Sequence, residues 1–244
     1  MKNTYKRKMT LDSNCLDIKE EPTIEYLMQL LQDVANDHCT ALGIDRWSLI
    51  KNSNAFWVAT KVKLQINRPA KLGEKLSFET WTQDPTAVKF ERDAKLACNG
   101  KTLVGFKSEW VALDYSTHKI RPAKTLAYPF DMKNRKDRAI EGKFNTLNHT
   151  TASNDFCYSR IIRVGDLDVN NHVNNCFYSR FVFDCFGSEE YKTKKVETYE
   201  IHFINECHEG EQLDFYKLQT EEGTFVEARV GDKQIIKALI TWKQ

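Results

Sequence analysis

The chain of 244 residues lacks long apolar runs, paired cysteine motifs and any strong excess of one charge sign. A membrane-spanning helix needs about 20 consecutive apolar residues, and no segment approaches that length. The 36 Lys and Arg residues against 34 Asp and Glu give a net charge of +2. Such a balance does not indicate a nucleic-acid-binding surface. The sequence therefore argues against a membrane-spanning protein and against a strongly basic DNA- or RNA-binding protein.

The seven cysteines are odd in number and scattered, with no Cys-x-x-Cys pair. Disulfide frameworks and zinc sites usually show even numbers and regular spacings. We therefore expect reduced thiols, no bound metal and a cytoplasmic protein. The basic N-terminus is not followed by an apolar segment, so neither an export signal nor a transit peptide is expected.

An internal repeat indicates two similar units in the chain. The segment 72–78 resembles 209–215 at an offset of 137 positions, and 100–110 resembles 232–242 at an offset of 132. The first copy therefore has about five extra residues in an intervening loop. We predict an N-terminal unit over residues 1–130, a charged linker over 131–149 and a C-terminal unit over 150–244.

Each copy has the pattern of one strand, one helix and then several long strands. The first predicts strands at 5–11, 55–67, 74–83, 87–98 and 101–114, with a helix opened by Pro22 and a hairpin turn at Asn99-Gly100. The second predicts strands at 156–164, 195–206, 211–220, 223–230 and 233–243, with a helix from Val173 that Gly187 ends. This order predicts an α+β fold in which each long, mostly antiparallel sheet wraps around one main helix.

The segment Asp166–Asn175 is crowded with groups that can do acid–base chemistry. It joins a predicted strand to a predicted helix, and six of its ten side chains are carboxylates or carboxamides. Asp168, Asn170 and His172 alternate through it, so they can converge on one side. His172 can transfer protons near neutral pH; alternatively, it is structural and Asp168 only caps the helix. The backbone amides of Val173 and Asn174 are the predicted donors to an oxyanion.

Glu206-Cys207, at the end of a later strand, is the second candidate element. Cys207 could be a thiolate nucleophile paired with His172, or Glu206 could be the base that activates a water. The alternatives are a surface carboxylate and a buried, inert thiol. The residues alone leave these roles open.

The polar segment resembles a family signature. Residues 166–178 fit the pattern D-x-D-x-N-x-H-V-N-N-x-x-Y of acyl-acyl carrier protein (acyl-ACP) thioesterases, and Glu206-Cys207 matches the second catalytic element of that family. Weaker similarity in the first half lies at 66–69, 73–74 and 110–111. The resemblance implies a tandem double hotdog fold and one site, whose catalytic group would be Asp168, Asn170, His172, Glu206 and Cys207.

The resemblance also implies a function. Members release free fatty acid from acyl-ACP without cofactor or metal, so we expect a bacterial-type cytoplasmic hydrolase of fatty acid biosynthesis, either monomer or homodimer. The first copy shows no counterpart of the polar segment, so its unit is expected to shape the acyl pocket. Alternatives are an acyl-CoA thioesterase and a non-catalytic acyl-binding module. Basic linker residues could dock the acidic carrier: Lys133, Arg135, Lys136 and Arg138.

Overall fold

The computed structural model describes residues 3–243, and the chain forms two compact units. The first contains Met1–Ser13 and Leu30–Gly142, and the second contains Asn14–Gln29 and Lys143–Gln244. The predicted bounds differ in three places, because residues 14–29 and 143–149 group with the second unit and residues 131–142 with the first. No helix within residues 3–243 has the length and apolar character needed to span a membrane.

The first unit is built on five strands and two helices. Its sheet has the order β1-β3-β4-β5-β2, and these neighbours are antiparallel. Asn99 and Gly100 join β4 to β5 with φ angles of 48° and 79°, the left-handed pair that a tight hairpin requires. The elements are β1 (Thr4–Met9), α1 (Ile24–Leu42, which begins in the second unit), α2 (Arg46–Ser53), β2 (Ala55–Ile66), β3 (Leu76–Thr82), β4 (Lys89–Cys98) and β5 (Lys101–Asp114).

The second unit repeats this order of elements. Its sheet runs β7-β10-β9-β8-β6, again with antiparallel neighbours, which confirms the predicted α+β class. Phe181 of the main helix packs on Phe215 of the sheet with ring centroids 6.2 Å apart. The elements are β6 (Phe156–Ile161), α3 (Phe177–Phe183), α4 (Ser188–Thr193), β7 (Val196–Phe203), β8 (Gln212–Gln219), β9 (Thr224–Val230) and β10 (Lys233–Trp242).

The helices differ from the prediction in extent and number. Helix α3 begins at Phe177 rather than Val173 and ends at Phe183. Gly187 does not end it, because its φ of −67° is not left-handed and it stands instead at the start of α4. The short helices α2 and α4 were not predicted, since each is too brief to show a long apolar period.

The sequence repeat corresponds to a repeated turn of the backbone. Gly73 and Gly210, 137 positions apart, both have a φ of 81°. The carboxylate of Glu74 accepts the Lys71 amide at 2.8 Å, and that of Glu211 accepts the His208 amide at 2.7 Å. The same offset places Pro69-Ala70 where the second copy has Glu206-Cys207, so the first copy has no carboxylate at that position.

Residues 131–142, part of the predicted charged linker, belong to the first unit. Met132 and Ile140 are buried, with 7% and 5% of their surface exposed. The Arg138 guanidinium forms ion pairs with Asp93, at 2.9 Å, and with Glu91. This part of the linker prediction is wrong, because apolar and ionic contacts fix the segment to the first unit.

The predicted basic docking residues divide into two kinds. Arg135 forms an ion pair with Glu79 at 3.3 Å and lies over the Trp81 ring at 4.0 Å. Arg135 and Arg138 are thus engaged within their own unit, whereas Lys133 and Lys136 are exposed. Only the two lysines keep the exposure that docking requires.

We predict that Arg138→Ala destabilises the first unit by about 3 kcal/mol, because the buried Asp93 carboxylate loses its cationic partner. Lys136→Ala, at an exposed neighbour, should change stability by less than about 0.5 kcal/mol. Urea unfolding of both variants measures the difference. Equal stabilities would show that the Arg138 ion pairs contribute nothing.

Candidate active site

The backbone of the polar segment is a closed turn that follows a short 3₁₀ helix (Val164–Asp166). Leu167 and Val173 form an antiparallel bridge, and the Asp168 amide donates to the His172 carbonyl at 2.9 Å. Asn171 has a left-handed φ of 64°, which asparagine tolerates better than most residues. This closure holds Asp168 and His172 opposite each other.

The side chains within the turn converge. The Asp168 carboxylate accepts the backbone amide of Asn170 at 2.7 Å and its carboxamide Nδ2 at 3.0 Å. His172 Nδ1 lies 3.6 Å from Asp168 Oδ1. The structure therefore brings together the three polar side chains that the alternation predicted.

Glu206 lies on the other side of the imidazole. Its Oε1 is 3.6 Å from His172 Nε2, and half of its side chain is exposed. Its carbonyl accepts a hydrogen bond from Lys233 Nζ at 2.8 Å. The distances from His172 to the two carboxylates exceed a normal hydrogen bond, and such contacts in free enzymes tighten when substrate binds.

Cys207 does not join this group. Its side chain is fully buried, and burial and a hydrogen bond to the Glu211 carboxylate raise the pKa of the thiol to about 12. Among residues 3–243, the structure shows no hydrogen bond between this thiol and His172. The thiol is therefore protonated at neutral pH, and the backbone carbonyl of Cys207 accepts the Val173 amide of the turn at 2.9 Å.

The predicted oxyanion donors are already engaged. The Val173 amide donates to Cys207, and the Asn174 amide donates to the Asp166 carbonyl at 2.9 Å. The helix that should present them begins only at Phe177. The oxyanion prediction for these two amides is wrong, because the turn uses both to close on itself and on Cys207.

An ion pair between Arg160 and the buried Asp166 was not predicted from the sequence. Asp166 is 3% exposed, and its carboxylate accepts Arg160 Nη2 at 2.7 Å and the Arg163 amide at 3.0 Å. Arg160 stands in the run of mostly apolar, alternating residues on β6, six positions before Asp166. A charged side chain in such a run could have indicated an ion pair with the turn. The pair anchors the start of the turn to the strand before it.

The first copy contains the same turn, contrary to expectation. Leu16 and Pro22 form the matching bridge, and the Asp17 amide donates to the Glu21 carbonyl at 2.8 Å. Glu20 has the left-handed φ of 59° at the position of Asn171. The backbone of the turn is therefore a property of the repeated fold.

Only the side chains distinguish the two turns. Lys19 stands in place of Asn170 and Glu21 in place of His172. The Asp17 carboxylate, equivalent to that of Asp168, accepts the Tyr191 hydroxyl at 2.6 Å. The first turn lacks an imidazole, so the acid–base group is present once in the described chain.

Comparison with known proteins supplies the family of the chain. A family model described as the acyl-ACP thioesterase N-terminal domain matches residues 2–125, and one described as the C-terminal domain matches residues 149–244. The oleoyl-acyl carrier protein thioesterase of Coriandrum sativum is 23% identical over 93% of this chain. The oleoyl-acyl carrier protein thioesterase 1 of Arabidopsis thaliana is 22% identical over 90% of this chain. The chain spans 66% and 65% of the lengths of these relatives.

Solved structures share the fold over the whole chain. An acyl-ACP thioesterase from Bacteroides thetaiotaomicron has a TM-score of 0.90 at 21% identity, covering 99% of this chain and 98% of the other. A 12:0-ACP thioesterase from Umbellularia californica has a TM-score of 0.83 at 17% identity, covering 100% and 98%. These similarities confirm the predicted tandem double hotdog fold.

We predict that Cys207 reacts with iodoacetamide at pH 8 roughly 10³-fold more slowly than an ordinary thiol of pKa about 8.5. Because the raised pKa keeps the thiol protonated, the rate should keep rising with pH until about pH 12. Glu211→Gln should speed the reaction, since the carboxylate that raises the pKa is removed. Peptide-level mass spectrometry measures each rate, and a plateau near pH 8.5 would contradict the assignment.

Proposed function

The chain belongs to the acyl-ACP thioesterase family, and from this premise we propose that it hydrolyses fatty acyl-ACP to free fatty acid and the carrier thiol. The observation that carries the proposal is the His172 imidazole flanked by the Asp168 and Glu206 carboxylates, at 3.6 Å on each side. An imidazole between two carboxylates can accept and return protons through one reaction cycle. Thioester hydrolysis needs such transfers twice, at the attacking water and at the leaving sulfur.

The attacking group in this proposal is water activated by Glu206. The Glu206 carboxylate is half exposed, so water reaches it. The Cys207 thiol is fully buried, and its pKa of about 12 leaves only about one thiolate in 10⁵ at pH 7. Direct attack by Cys207 would also require the thiol to turn from Glu211 toward the substrate. The carboxylate route needs neither change.

In the proposed reaction, one proton of the attacking water is carried to the departing sulfur. Glu206 removes a proton from water as the oxygen attacks the thioester carbonyl carbon. Glu206 passes this proton to His172 across the Nε2–Oε1 contact. The C–S bond of the tetrahedral intermediate then breaks, and His172 gives the proton to the departing thiolate, so the products are a carboxylic acid and a thiol.

Asp168 and Asn170 position the reacting groups. The Asp168 carboxylate faces His172 Nδ1 and so favours the orientation in which Nε2 points to Glu206. The same carboxylate holds the Asn170 carboxamide at 3.0 Å. In this proposal the carboxamide fixes the carbonyl of the thioester, and Cys207 supports the turn through its backbone carbonyl.

The carrier would be bound partly by charge. Acyl carrier proteins are acidic, and Lys133 and Lys136 are exposed cations on a segment that is fixed to its unit. Exposed charges steer association more than they add affinity. Arg135 and Arg138, the other two predicted docking residues, would support this surface by fixing the segment through their ion pairs within the unit.

We predict that Glu206→Gln and His172→Ala each lower kcat by about 10²- to 10⁴-fold, because each removes a proton-transfer group. Cys207→Ala should retain kcat within about fivefold, since only a buried methyl-sized change results. Steady-state kinetics on acyl-ACP, with folding checked by circular dichroism, give the comparison. Loss of activity in folded Cys207→Ala together with activity in Glu206→Gln would reverse the two roles.

The preferred carrier is tested by comparing the same acyl chain on acyl carrier protein and on coenzyme A. We predict a higher kcat/KM for acyl-ACP than for the matching acyl-CoA. Lys133→Glu combined with Lys136→Glu should lower kcat/KM for acyl-ACP at low salt and leave the acyl-CoA value unchanged. Preference for acyl-CoA would assign the coenzyme thioester as substrate, and turnover of neither would make the chain an acyl-binding module.

A further inference from the structure

Two cysteines outside the active site face each other in the second unit. Cys157 lies on β6 where the register against β8 shifts between Phe156 and Tyr158. Such a bulge turns a side chain out of the regular alternation of a strand. Cys185 lies just beyond α3, and its thiol is in hydrogen-bond contact with that of Cys157.

A shared backbone acceptor also joins β6 to the end of α3. The Phe181 carbonyl accepts the Tyr158 hydroxyl at 2.6 Å and the Cys185 thiol at 3.9 Å. The residue next to Cys157 and the Cys185 side chain thus meet at one atom. Cys157 is partly exposed, whereas Cys185 is buried, so a small oxidant reaches the first thiol and not the second.

The two thiols have opposite acid strengths. Contact with the Cys185 thiol and the nearby Lys217 ammonium lower the pKa of Cys157, against the effects of burial and of the Glu190 carboxylate. The same pairing and burial raise the pKa of Cys185. Lys217 is fixed at this place because its Nζ donates to the Cys185 carbonyl at 2.8 Å. A thiol of lowered pKa beside a thiol of raised pKa is the arrangement of an attacking and a resolving cysteine.

We propose that Cys157 and Cys185 form a redox-active dithiol that hydrogen peroxide converts to an intramolecular disulfide. The Cys157 thiolate attacks one peroxide oxygen, the O–O bond breaks and hydroxide leaves, which gives a sulfenic acid. The Cys185 sulfur then attacks the Cys157 sulfur, the S–S bond forms and the S–O bond breaks. The thiol proton of Cys185 leaves with the hydroxyl group as water, so the dithiol loses two electrons and the peroxide gains them.

The position of this dithiol links it to the catalytic turn. In the chain, Asp168, Asn170 and His172 all lie between Cys157 and Cys185. A disulfide would fasten the strand that enters the turn to the segment that leaves α3. This inference is independent of the substrate proposed above, because disulfide formation is measured without an activity assay.

The test is peroxide treatment of the reduced, full-length protein at pH 7, followed by alkylation in denaturant and peptide mapping. In the natural sequence we expect a linked Cys157–Cys185 peptide that dithiothreitol reverses. In Cys185→Ser, Cys157 should stop at a sulfenic acid that dimedone traps, and in Cys157→Ser, Cys185 should remain a thiol. Cys39 is the matched internal control, since it is partly exposed but burial raises its pKa.

The rate of modification separates a built site from general oxidation. We expect Cys157 to be consumed at least about tenfold faster than Cys39 in the same sample. Equal rates at the two cysteines would overturn the proposal. So would a disulfide of Cys157 with any cysteine other than Cys185, or a linked pair that forms between two chains.

Discussion

The hydrogen bond from the Val173 amide to the Cys207 carbonyl, at 2.9 Å, joins the two segments that carry the polar groups of the site. One segment supplies Asp168 and His172, and the other supplies Glu206. Because the bond fixes the end of the turn against the residue after Glu206, the imidazole lies within 3.6 Å of both carboxylates. The same bond engages the Val173 amide, which therefore does not serve as an oxyanion donor.

The two copies of the fold contain the same turn, but only the second turn has the imidazole and its neighbouring carboxylates. Bridges, carbonyl acceptors and a left-handed residue recur in the first copy, as at Asp17 and Glu20, so the backbone follows from the architecture. The first copy has Glu21 where the second has His172, and Pro69 where the second has Glu206. The two turns therefore share one backbone and differ in the side chains that could transfer protons.

Much of the fold could be predicted because strands and hairpins depend on local patterns. The Asn99-Gly100 hairpin, the strand bounds and the grouping of Asp168, Asn170 and His172 follow from alternation and turn chemistry. The state of Cys207 could not be predicted, since its pKa depends on burial and on Glu211, which tertiary packing brings to it. The ion pairs of Arg138 were hidden for the same reason, because its partners lie more than forty positions away.

In the proposed mechanism water, and not Cys207, attacks the thioester. Rapid acid quenching during turnover of acyl-ACP, followed by intact-protein and peptide mass spectrometry, tests this claim most directly, because a thioester to the enzyme survives acid. We predict that no acyl group is attached to the protein at any time, in the natural sequence or in Glu206→Gln. An acyl adduct on Cys207 that forms and decays at the rate of turnover would contradict it.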